Sequence, residues 1–216
     1  MLRLAFFFAA GCVAGGCCLA LAHRAAMGEQ GVALCGGRAS YLACSALCGA
    51  GVLLSAACWS GFRLALAVAA WTFALFHALT DLLCGYIFDA PVVVSICCAT
   101  VSRLIWQESD AIFAATVGAA AGWAPLACVV VLTRGGIGWG DALMMAGVGA
   151  LLGWKLALLS VYLGIMIGGF GGLVLLLARR VRLNDPLPMA PFLALGVLGA
   201  LVLGKCWGAR LGGVFF

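Results

Sequence analysis

"GGIGWGDALMMAG", residues 135–147, spaces glycines at 136, 138 and 140, then places Asp141 directly before an apolar run. A carboxylate at the lip of a hydrophobic helix is costly unless it faces a cavity or serves a function. Irregular, glycine-rich backbone is tolerated at membrane depth only beside protein or water. The stretch therefore reads as the start of a membrane helix whose first turn carries an acid. A simpler reading stands beside it: a glycine turn closed by a helix-capping aspartate.

The surrounding composition fixes the class. Of 216 residues, 66% are hydrophobic and 9% charged. A soluble domain of this size could not cover its surface with so few polar groups. The expected fold is all-α, a polytopic membrane helix bundle forming one integral-membrane domain over 1–216, because open sheet edges would leave backbone groups unpaired in lipid. Segment lengths suggest about eight spans, at 4–22, 41–60, 64–80, 90–106, 111–133, 141–154, 156–178 and 190–207. The first could be a cleaved signal peptide; its long apolar run favours a retained helix. Trp59, Trp106, Trp154 and Trp207 fall at expected span ends, where interfacial tryptophans collect.

Charge excludes some classes and leaves sidedness open. The formal net charge is +5 and scattered, with no basic stripe, so nucleic acid is not an expected partner. Arg24, Arg38, Arg134, Arg179, Arg180 and Arg182 fall on one face; Arg3, Arg63, Arg103, Lys155, Lys205 and Arg210 fall on the other. The densest run, "RRVR" at 179–182, favours the first face as cytoplasmic. The 12 cysteines show no C-x-x-C spacing and no partnering histidines, so neither a metal nor a cofactor is expected. They read as small packing residues. Gly164, Gly168 and Gly172 read as close helix packing.

Glu29, Glu108, Asp110 and Asp185 lie in polar loops or turns. Asp81 and Asp141 do not. Asp81 ends the third span, in "FALFHALTDLLCGYIF", and apolar sequence follows it. Counting crossings puts both carboxylates on the same membrane face. Two acids sharing a site hold one proton between them: the ionised one can activate water while the protonated one hydrogen-bonds the carbonyl under attack. Gly136, Gly138 and Gly140 would then let backbone or substrate approach the carboxylate. His77 shares a helix face with Asp81 and could tune it, or simply find a hydrogen bond in the bundle. Asp89 reads as a turn or cap before the next helix.

With these residues in place, the chain resembles the type IV prepilin peptidases, membrane aspartic proteases marked by G-x-G-D. "GIGWGD" at 136–141 is similar to their G-M-G-x-G-D. "DLLCGYIFDAP" at 81–91 is similar to D-L-R-x-G-x-I-P-D-x-L, keeping Asp81, Leu82, Gly85, Ile87 and Asp89. "PMAPFLALGVLGAL" at 188–201 is similar to P-F-G-P-F-L-A-L-G. The departures are Leu143 for a usual lysine, Phe88 for a proline and Leu83 for a basic residue. The C-x-x-C zinc loop of longer members is also missing, so the resemblance gives no support for N-methyltransferase activity. It implies an Asp81/Asp141 catalytic dyad and a prepilin or pseudopilin precursor as substrate. It also implies a multi-pass protein of the bacterial inner membrane, surrounded by lipid, with its site facing the cytoplasm. A proton- or cation-coupled transporter or channel using the same acids is the alternative from another class. A related G-x-G-D protease cutting other membrane helices and an inactive scaffold relative are two more.

Overall fold

The computed structural model describes residues 38–107, 110–133, 137–179 and 188–210, with isolated helical positions of the first segment at Gly11, Val13, Cys17, Ala20, Leu21 and Arg24. The rest of that first segment, Gly136, Glu29, Glu108, Asp185 and most of "RRVR" lie outside the described residues. The chain is an all-α membrane helix bundle: the described residues form seven helices and no strand. These are α1 (Arg38–Cys58), α2 (Gly61–Cys84), α3 (Asp89–Ile105), α4 (Ala111–Leu132), α5 (Trp139–Leu152), α6 (Trp154–Leu177) and α7 (Ala190–Arg210).

Among the described residues, three helices, within α2, α4 and α6, are long and apolar enough to cross a membrane by length and composition. The short one is α5. Its 14 residues rise only about 21 Å, less than the roughly 30 Å of a hydrocarbon core. It is also apolar almost all round, and such a helix belongs in the centre of a bundle rather than against lipid. Met144, Met145, Val148 and Ala150 are fully buried, and α5 packs against α2, α3, α4, α6 and α7.

Small residues permit that central position. A Cβ on Gly118 of α4 would collide with the Gly149 carbonyl of α5, and one on Gly149 with the Gly118 carbonyl. One turn on, a Cβ on Gly122 would strike the Met145 carbonyl. The two backbones touch, which is how membrane helices gain packing where burial from water contributes little. The same device joins α6 to α7. A Cβ on Gly164 would stand 2.7 Å from a Leu193 methyl, and one on Gly168 3.1 Å from the Met189 methyl, as the packing reading of these glycines expects.

Several boundaries differ from the sequence reading. The second helix runs to Cys84, so Asp81 sits inside its last turn rather than at its end. Trp59 is not an interfacial tryptophan: it is buried, and its Nε1–H donates to the Leu201 carbonyl at 3.1 Å. Trp106 and Trp154 are exposed, as expected of span ends. Among the described cysteines only Cys44 and Cys48 are buried; Cys17, Cys97, Cys98, Cys128 and Cys206 are exposed.

Candidate active site

Helix α2 ends because Gly85 takes a left-handed conformation (φ 64°) and returns its N–H to the Asp81 carbonyl at 2.8 Å. That conformation is open to glycine at little cost. The chain then runs through Tyr86, Ile87 and Phe88 without regular structure before α3 begins at Asp89. The backbone of Phe88 (φ −82°, ψ 131°) lies near the region a proline would occupy. Asp89 is the first residue of α3 and exposed.

On the other side of the cleft, Gly138 is the N-cap of α5. Asp141 lies in the first turn, three residues on, and its carboxylate accepts a hydrogen bond from the backbone N–H of Gly138. Gly138 and not Asp141 is therefore the N-cap, and Asp141 supports the start of the helix through this reach-back contact. The residue is 94% buried, and its Oδ1 has no hydrogen-bond partner among the described residues. A buried carboxylate oxygen without a donor is expensive, and native structures keep few of them.

Asp81 and Asp141 line one cavity of about 320 Å³. They are close enough for the charge of one to act on the other. The third matched stretch arrives there as well: the backbone N–H of Ala190, at the start of α7, donates to Asp81 Oδ2 at 3.2 Å. A carboxylate at a helix N-terminus meets unpaired N–H groups and the positive end of the helix dipole. The three sequence stretches singled out above thus converge on Asp81.

The glycines divide the labour. A Cβ on Gly138 would sit 3.4 Å from Asp141 Oδ2, so this position borders the carboxylate. A Cβ on Gly140 would come within 2.9 Å of Ile87 Cβ; its bareness lets the 85–88 loop close over α5. Leu143 also lines the cavity, where the resembling family carries a lysine. Asp89 lines it too, giving the cavity three carboxylates. Sequence reasoning set Asp89 aside; its place five residues beyond the last helical residue of α2 carried no signal that the loop folds back over Asp141.

His77 is fully buried, with Nδ1 3.0 Å from the Phe73 carbonyl oxygen and Nε2 3.3 Å from that of Phe88. The neutral ring donates to one of these and the imidazolium to both. Both nitrogens face backbone carbonyls, so the histidine ties α2 to the loop rather than serving Asp81 as a base. His77→Gln, whose amide can still donate to a carbonyl, is therefore expected to keep any hydrolytic activity within about tenfold of the parent, whereas loss of a general base costs about 10²–10⁴. His77→Ala is expected to lower the melting temperature, because a buried carbonyl left unpaired costs about 1–3 kcal/mol. A rate profile and a melting curve of both variants check this.

Comparison with known proteins identifies similar sequences. The chain is 38% identical over 114 residues to a prepilin leader peptidase/N-methyltransferase of Burkholderia pseudomallei (strain K96243), covering 50% of this chain and 37% of that protein. It is 36% identical over 103 residues to the protein of that name in Bacillus subtilis (strain 168), covering 48% of this chain and 41% of the relative. For the one in Pseudomonas aeruginosa (strain ATCC 15692 / PAO1) the identity is 31% over 96 residues, 44% of this chain and 33% of the relative. The chain thus spans about two-fifths or less of the length of these curated relatives. No family model matches it, and no solved structure matches it. The relatives support the resemblance to the prepilin peptidases.

Proposed function

We propose, from the similarity to prepilin leader peptidases, that the chain is a membrane-embedded aspartic endopeptidase that removes the leader of prepilin-like or pseudopilin precursors. The observation that carries the reading is that Asp81 and Asp141, sixty residues apart in sequence, line one cavity at one end of the bundle. The proposal takes only the peptidase part of the relatives' name, because two facing carboxylates are equipped for peptide hydrolysis.

In the proposed mechanism one proton is shared by the pair and belongs to neither residue alone. The ionised carboxylate takes a proton from water as its oxygen bonds to the scissile carbonyl carbon. The protonated partner hydrogen-bonds the carbonyl oxygen and stabilises the charge that develops there. As the C–N bond breaks, the leaving nitrogen accepts a proton from the pair. The Ala190 N–H would hold Asp81 in place through both steps. The unpartnered Oδ1 of Asp141 is the oxygen best placed to receive a hydrogen bond from water or substrate.

Three carboxylates at the cavity suit a basic leader, which the resemblance implies as the substrate. A leader of that kind enters from the cytoplasm, so the dyad end is assigned to the cytoplasmic face of the bacterial inner membrane. The test is co-expression with precursors encoded near the gene for this chain, read as leader loss on a gel. Leader loss from at least one precursor is expected. If a broad precursor panel stays intact while liposomes containing the protein pass protons or cations, the reading fails and an ion pathway takes its place.

A further inference from the structure

The dyad cavity carries more negative charge than a dyad needs. Asp89 lines it together with Asp81 and Asp141, and no basic side chain is among its described lining residues. The two inner acids are anchored: Asp81 Oδ2 accepts from the Ala190 N–H, and the Asp141 carboxylate from that of Gly138. Asp89 is not anchored. It is exposed at the start of α3, and its carboxylate makes no hydrogen bond or ion pair with a described residue. The helix dipole favours an acid in any first turn. It does not account for one standing in the wall of a cavity that already holds two carboxylates.

Two aromatic rings share that wall. Tyr86, in the loop after α2, and Trp139, the first residue of α5, both line the cavity and both are exposed. The Tyr86 ring is steadied edge-on by Phe88, with centroids 5.3 Å apart. Aromatic faces attract ammonium and guanidinium groups. With one proton shared by the dyad, the three carboxylates still leave two negative charges for a ligand to offset. The unpartnered Oδ1 of Asp141, in a residue 94% buried, is a separate sign that the cavity is shaped for a ligand. A metal ion fits less well, because calcium takes six to eight oxygen ligands and no group of three metal-ligating side chains is set to hold an ion among the described residues.

We propose that Asp89, Tyr86 and Trp139 form a subsite for one ammonium or guanidinium side chain of the substrate, on the leader side of the scissile bond. The inference rests on the peptidase reading and deepens it. It separates the carboxylate that binds the leader from the two that cleave it.

The test uses the full chain purified in a neutral detergent and two synthetic precursor peptides, identical except for lysine or glutamine at the leader positions beside the cut. The parent is expected to show a KM about fivefold lower for the lysine peptide, the scale of an exposed ion pair. Asp89→Asn should raise the KM of the lysine peptide to that of the glutamine peptide and leave the latter unmoved. Trp139→Leu should raise the KM of the lysine peptide about threefold. The pH profile of kcat, which reports the dyad, should keep its shape in both variants. The same peptides are titrated onto Asp81→Asn by fluorescence anisotropy, so that selection is read without cleavage. If the parent cuts neither peptide while Asp81→Asn still prefers lysine through Asp89, the peptidase reading falls and the subsite stands. Should Asp89→Asn not fold, the parent's choice between the peptides and its loss in Trp139→Leu decide. Equal KM and equal affinity for the two peptides would overturn the proposal. So would an equal loss of both in Asp89→Asn, the result given by an acid that only supports the start of α3.

Discussion

Under the proposed mechanism, Asp81→Asn and Asp141→Asn are each expected to abolish leader cleavage, with the double variant no slower than either single one. This is the largest expected effect. Removing one member of an acid–base pair costs about 10²–10⁴ in rate. Groups that act as a unit do not contribute additively, so the second substitution has little left to remove. A pair of independent contributors would give multiplied losses instead. Stability should move differently from activity. Asp141 is 6% exposed and its Oδ1 has no donor among the described residues, so the parent carries the cost of a desolvated carboxylate. Asparagine has nearly the same shape without the charge. Asp141→Asn is therefore expected to melt at the parent's temperature or above it, the pattern of a residue kept for function at a cost in stability. Melting curves and cleavage rates on the same preparations separate the two effects. A variant that is inactive because it is unfolded would show both losses together.

The second large effect concerns folding. Gly149→Val should yield little folded protein, or protein that melts far below the parent. The physical reason is the contact between α4 and α5, where a Cβ on Gly149 would collide with the Gly118 carbonyl. The obstacle is backbone, so no side-chain rotation relieves it, and the helices must separate. Overpacking of a core typically costs about 1–3 kcal/mol and sometimes more. Here the displaced helix is α5, which packs on five others and carries Asp141 in its first turn. Gly169→Val is the matched control. It adds the same side chain to α6, where a Cβ meets nothing within 4 Å. Its melting temperature and cleavage rate should stay near the parent's. Comparable damage from both substitutions would point to a general intolerance of valine and away from the contact.

Much of the site was legible in the sequence because it depends on charge and chain direction. An acid at membrane depth is rare enough to be noticed, and crossing parity put Asp81 and Asp141 on one face. What parity could not supply is packing. Helices α4, α5 and α6 are apolar on every side, so no periodicity marks which face turns inward. Hence the central position of α5 and the meeting of Gly118 with Gly149 were not readable. The Asp81–Ala190 hydrogen bond joins residues 109 apart, and no local pattern announces it. Trp59 misled for a related reason: a tryptophan at a span end reads as interfacial, while its Nε1–H is satisfied inside the bundle by Leu201. His77 was ambiguous in sequence because four-residue spacing puts it on the face of Asp81. The structure shows its ring turned to the Phe73 and Phe88 carbonyls. Asp141 differs from the N-cap reading in place only: the cap is Gly138, and Asp141 reaches back to its N–H from the first turn.

The most direct test of the dyad is an intact-mass measurement. A prepilin-like precursor is incubated with the purified chain in liposomes, beside Asp81→Asn and Asp141→Asn. The expected result is two fragments whose masses sum to the precursor plus one water, in the parent alone. Cleavage that survives in either variant at the parent's rate would contradict a mechanism that runs through these two carboxylates.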